Sequence, residues 1–165
     1  MNLERRLSPF LPPWASWKTQ AVQWGAVSAV VFLVCGSIFG ERFLSALRNL
    51  YYFPSYETLI PGRTVPSFLQ LLYPTLWTVP VTVVLALLDA LKHYLGHFQG
   101  SRSIYLMRRL PQRGELARRC LAFPLTGLAA SLAVYVLTAL LCLLWYRVQT
   151  PAGCLPPDIW AGIGG

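Results

Sequence analysis

Residues 121–145 read LAFPLTGLAASLAVYVLTALLCLLW, twenty-five positions without a charged side chain. At 1.5 Å per residue a helix of that length reaches about 38 Å, more than the roughly 30 Å of hydrocarbon in a bilayer. Pro124 falls in its first turns, where proline disturbs a helix least, and Trp145, Tyr146 and Arg147 mark its far interface. The stretch therefore reads as a membrane span, and the rest of the chain has to be read around it.

Two more apolar runs lie upstream. Residues 21–39 hold no charge and form span one. Residues 68–91 form span two, with Pro74 and Pro80 expected to kink it and the hydroxyls of Thr75, Thr78 and Thr82 placed to occupy freed carbonyls. Composition agrees: of 165 residues 55% are apolar and 12% charged, and the mean hydropathy is +0.49. The expected fold class is an all-α integral membrane protein with three transmembrane helices.

The connecting pieces differ sharply in charge. Residues 1–20 carry Arg5, Arg6 and Lys18, with Pro9, Pro12 and Pro13 preventing one continuous helix. Trp14, Trp17 and Trp24 cluster at the entry to span one, as aromatic rings do at headgroup level, so an amphipathic interfacial segment is expected here. Residues 40–67 form a loop whose first part, with Phe43, Leu47, Leu50 and Tyr51 at helical spacing, suits a helix lying on the surface. Pro54, Pro61, Gly62 and Pro66 make its second part irregular. The tail, 146–165, is rich in proline and glycine and is expected to be irregular and mobile, with Trp160 a candidate tether to the interface that the sequence does not decide.

Residues 92–120 are the most basic part, with seven of the fourteen lysines and arginines: Lys92, Arg102, Arg108, Arg109, Arg113, Arg118 and Arg119. Together with residues 1–20 this segment holds ten of the fourteen, so the positive-inside rule places both in the cytoplasm and the 40–67 loop and tail outside a cell membrane. Within it Ser103 caps a short helix from Ile104 to Leu110 that Pro111 stops. Tyr105 or Leu110 would join Ile104 and Met107 on its apolar side, beside Arg108 and Arg109. So short a helix needs lipid or protein to pack on. Glu115 then opens the next helix, where the dipole favours an acid.

Asp89 is the one acid inside an apolar run. Spacing of four sets Asp89, His93 and His97 on one helical face, an arrangement whose carboxylate and two imidazoles suit a metal or a proton relay. Gly96 and Gly100 speak for a helix that is ending, and an acid at the interface beside a snorkelling Lys92 needs no metal. The plainer reading is preferred. Cys35, Cys120, Cys142 and Cys154 are too scattered for a zinc knuckle or a disulfide framework.

No G-x-x-x-x-G-K-[ST], G-x-S-x-G or H-E-x-x-H pattern is present, so the chain carries no recognisable catalytic centre and implies no cofactor. Nucleic acid is not an expected partner, because basic residues in so apolar a chain serve cytoplasmic loops and anionic lipids.

The order of segments resembles the first half of the permease subunits of type-two ABC exporters. Leu110-Pro111-Gln112-Arg113-Gly114-Glu115-Leu116, followed by Arg119, is similar to the LP-x-x-R-x-E-L stretch with which those permeases enter their third span. The step from Pro111 to Arg113 is one residue shorter than in that pattern, and the family usually has six spans. The resemblance implies that Ile104 to Leu110 is a coupling helix docking on a separate P-loop ATPase subunit. Arg108, Arg109 and Arg113 would then meet acidic groups on it. A second copy or a further membrane subunit is expected to complete the transporter. The alternatives are an accessory or regulatory membrane protein holding a cytoplasmic partner, and a small membrane metal protein or enzyme built on Asp89, His93 and His97.

Overall fold

The computed structural model describes residues 16–51, 59–60, 62–96 and 115–160. Helix α1 spans Trp17–Arg48. A second span, Phe68–Gly96, is assembled from α2 (Phe68–Leu72), a 3-10 turn at Tyr73–Trp77 and α3 (Thr78–Gly96). Helix α4 runs over Glu115–Gln149, and a short 3-10 turn, Ala152–Cys154, follows it. Among the described residues the only β-bridge is an isolated one between Tyr51 and Leu59. Three of these helices are long and apolar enough to cross a membrane, which makes the chain a multi-pass, all-α membrane protein.

The segment joining the first two spans departs from expectation. Among the described residues no separate surface helix follows span one. Instead α1 continues unbroken through Glu41 to Arg48, because Phe43 and Leu50 have an apolar cluster to enter. Pro124 stands ten positions into α4 and is buried. In the second span two threonine hydroxyls bond back to their own helix, Thr75 Oγ1 to Leu72 O at 2.7 Å and Thr78 Oγ1 to Thr75 O at 2.7 Å, although the carbonyls that Pro74 and Pro80 free are those of Gln70 and Leu76. The prolines produce a tightened 3-10 turn, with Pro74 at its start.

Two compact units divide the chain, and each has its own interior. The unit formed by Val30–Thr78 and Val134–Gly165 is held by aromatic packing. Phe39, Phe43 and Tyr146 are fully buried, and their rings form a contiguous set with Phe68. Phe39 lies 5.8 Å from Phe43 and 5.6 Å from Phe68, and Phe43 lies 5.5 Å from Tyr146. The Tyr146 hydroxyl donates to Pro66 O at 3.0 Å. The tail is seated here rather than loose: Val65 N donates to Cys154 O at 2.9 Å and Phe68 N to Ile159 O at 3.1 Å. Trp160 meets the Phe68 ring edge-on at 5.8 Å.

Along the spans several hydroxyls turn back on their own helix. Ser37 Oγ donates to Leu33 O, Thr126 Oγ1 to Phe123 O, Thr138 Oγ1 to Val134 O and Thr150 Oγ1 to Tyr146 O, at 2.6–3.0 Å.

Candidate functional site

The second unit, Met1–Ala29 with Val79–Ala133, is organised by polar rather than aromatic side chains. Residues 82, 86, 89 and 93 recur at helical spacing on α3, and the side chains of Thr82, Ala86, Asp89 and His93 are all buried. Helix α1 answers with Gln20 and Trp24, one turn apart and also buried, and with half-buried Gln23. Trp24 Nε1 donates to Asp89 Oδ2 at 3.1 Å, and Gln23 Nε2 donates to Asp89 Oδ1 at 3.3 Å. Gln20 Nε2 and His93 Nε2 lie 2.9 Å apart. A third contact on the same faces joins Ser28 Oγ to Ser131 Oγ at 3.1 Å, linking α1 to α4.

Helix α4 contributes an absence of bulk. A β-carbon on Gly127 would overlap Cγ, Cδ2 and Cε2 of Trp24, so only glycine lets the indole lie against the α4 backbone. One indole thereby touches α4 with its face and α3 with its N–H. Gly25 and Gly36 differ in having open space where a side chain would stand.

The chemistry of the cluster follows from its donors. Asp89 is 4% exposed, and its carboxylate accepts from two neutral groups, an indole and an amide. Gln20 is 2% exposed, and its Oε1 has no partner. Turning that amide over presents a carbonyl to His93 in place of an amine, so Gln20 can serve either imidazole tautomer. Beside the carboxylate is a cavity of about 180 Å³. Val27, Leu85 and Leu88 form its apolar wall, and Gln23, Trp24, Asp89 and Lys92 its polar side.

Of the residues singled out by spacing, Asp89 and His93 do share a buried face. His97 lies outside the described residues, and among those described no three His, Cys, Asp or Glu side chains are grouped to hold a metal ion. The docking residues Ile104, Tyr105, Met107, Arg108, Arg109, Leu110, Pro111 and Arg113 also lie outside the described residues, as does the interfacial segment before Ser16. Glu115 begins α4. Sequence reasoning passed over Gln20, Gln23, Trp24 and Gly127. Trp24 in particular, by its place at the entry to span one an expected headgroup-level ring, is 6% exposed and packed between helices. The available signal was two glutamines within four residues of it, on the face that a polar residue of a span would seek.

No known protein family matches the chain, and neither a curated protein nor a solved structure shows significant similarity to it.

Proposed function

We propose that this chain is an integral membrane subunit of a multi-subunit transporter of the ABC exporter type, driven by a separate P-loop ATPase docked on the basic segment. The observation that carries the reading is the direct attachment of that segment to two spans: α3 ends at Gly96 and α4 begins at Glu115. Any partner gripping Arg108, Arg109 and Arg113 pulls on both helix ends at once. Asp89 and His93 stand in the last turns before the segment, where an ionisable pair inside a span is costly and usually functional. In this reading residues 1–20 and the basic segment face the cytoplasm of the cell membrane and the tail faces outward, as the charge asymmetry supports. Three spans call for a second copy or another membrane subunit to complete a path. The chain itself does no catalysis.

Purification from its native membrane in mild detergent through an N-terminal tag, with an ATPase assay of the eluate, tests this. A co-purifying P-loop ATPase whose association is lost on replacing Arg108, Arg109 and Arg113 by Ala is the expected outcome. Recovery of the chain with a non-ATPase cytoplasmic partner would replace the transporter reading with the accessory one.

A further inference from the structure

We propose that the cavity beside Asp89 binds the headgroup of a phospholipid bearing a primary ammonium on a phosphodiester, the ethanolamine class. The inference is independent of the ATPase partner and rests on charge, depth and size. A carboxylate has about four acceptor positions, and Gln23 and Trp24 use two of those on Asp89. A buried carboxylate served only by neutral donors lacks a compensating cation, and a primary ammonium brings charge together with N–H donors. Lys92 lines the same cavity three residues further along α3 and is exposed. That step is about 4.5 Å along the helix, the scale of the two-carbon link between phosphate and amine. The ammonium thus falls to Asp89 and the phosphate to Lys92.

Depth agrees. The span Phe68–Gly96 has 29 residues. That is about 43 Å of helix against roughly 30 Å of hydrocarbon, so about 6 Å emerges at each end when it is centred. Lys92, four residues before Gly96, then stands at the hydrocarbon border with Asp89 just beneath it. Leu85 and Leu88 are 41% and 55% exposed, so the cavity opens sideways toward acyl chains. Its volume of about 180 Å³ is below the roughly 300–1,000 Å³ of sites for drug-sized ligands and suits a headgroup alone. The charged and titratable side chains of this unit bear out the assignment. Besides Asp89, Lys92 and His93, α3 offers Tyr94. α1 offers Lys18, and α4 has Glu115, Arg118, Arg119 and Cys120 in its opening turns. Asp89 is the one acid among the residues that line the cavity. An anionic lipid would be repelled by Asp89, and a choline headgroup has no N–H to donate.

Native mass spectrometry of the full chain tests the assignment, using equimolar phosphatidylethanolamine, phosphatidylcholine and phosphatidylglycerol with identical acyl chains. The wild type is expected to retain the ethanolamine lipid in preference by about tenfold, the scale of one charge-assisted hydrogen bond. Asp89→Asn should abolish the preference and Lys92→Gln should weaken retention of that lipid. Because Asp89→Asn also disturbs the bonds from Gln23 and Trp24, Val27→Phe is the second variant. It fills the cavity without touching those bonds, and should remove the adduct while the unfolding temperature stays near wild type. Equal retention of the three lipids, preference for phosphatidylglycerol, or an ethanolamine preference that survives in folded Val27→Phe overturns the proposal.

Discussion

Gly127→Ala is a one-methyl change whose effect should be the reverse of what helix propensity predicts. In an ordinary helix the substitution gains up to about 1 kcal/mol. At this position the methyl lands inside the Trp24 indole. Overpacking of that kind costs about 1–3 kcal/mol. Relief requires the ring to withdraw from α4, which draws Nε1 away from Asp89 Oδ2, now 3.1 Å distant. Losing a polar contact between membrane helices costs about 0.6–2 kcal/mol more. With the propensity gain set against these losses, a net destabilisation of about 1–4 kcal/mol is expected. Unfolding in mixed micelles with increasing dodecyl sulfate, followed by far-ultraviolet circular dichroism, measures it. Gly25→Ala and Gly36→Ala, where a β-carbon meets open space, are the controls and should be neutral or mildly stabilising. The decisive comparison is a double-mutant cycle with Trp24→Ala: once the indole is gone, Gly127→Ala should lose its cost. A Gly127→Ala protein as stable as the Gly25 control, or a cost that persists without Trp24, refutes the reasoning.

Two further outcomes follow from the other unit. Tyr146→Phe keeps the buried ring but removes the donor to Pro66 O, and should cost about 0.5–1.5 kcal/mol in the same unfolding assay, against about 3–5 kcal/mol for Tyr146→Ala; a neutral Phe variant would show that packing alone holds the site. Cys154 is buried and is a poor topology reporter, whereas Gly153 beside it is exposed with open space at its β-position. Gly153→Cys should therefore react with a membrane-impermeant maleimide from outside intact cells, and labelling only after lysis would reverse the proposed orientation.

The three spans were legible because uncharged runs of this length have few alternatives in water or lipid. Their ends were less so. Arg48 sits well beyond the last apolar residue of span one, and α1 reaches it because Phe43 enters a cluster with Phe68 and Tyr146, residues remote in sequence. The seating of the tail depends on backbone bonds from Val65 and Phe68 to Cys154 and Ile159, and backbone groups leave no trace in residue type. At the polar cluster, Asp89 announced itself as an acid in an apolar run. Its partners did not, since a tryptophan near a span entrance is ordinarily an interfacial anchor and only the fold reveals that Gly127 has made room for this one.

The hydroxyls that bond to their own helix set terms for any neighbour in the bilayer. Ser37 and Thr126 are exposed on span surfaces, where such groups are usually counted as glue between chains. Each has already committed its proton to a carbonyl one turn back. A companion helix arriving at either place would find an acceptor and no donor, and would have to bring its own hydrogen or rely on shape alone. Any hydrogen bond made to these surfaces from outside would thus need a donor at the matching depth, a requirement that exposure and hydrophobicity do not disclose.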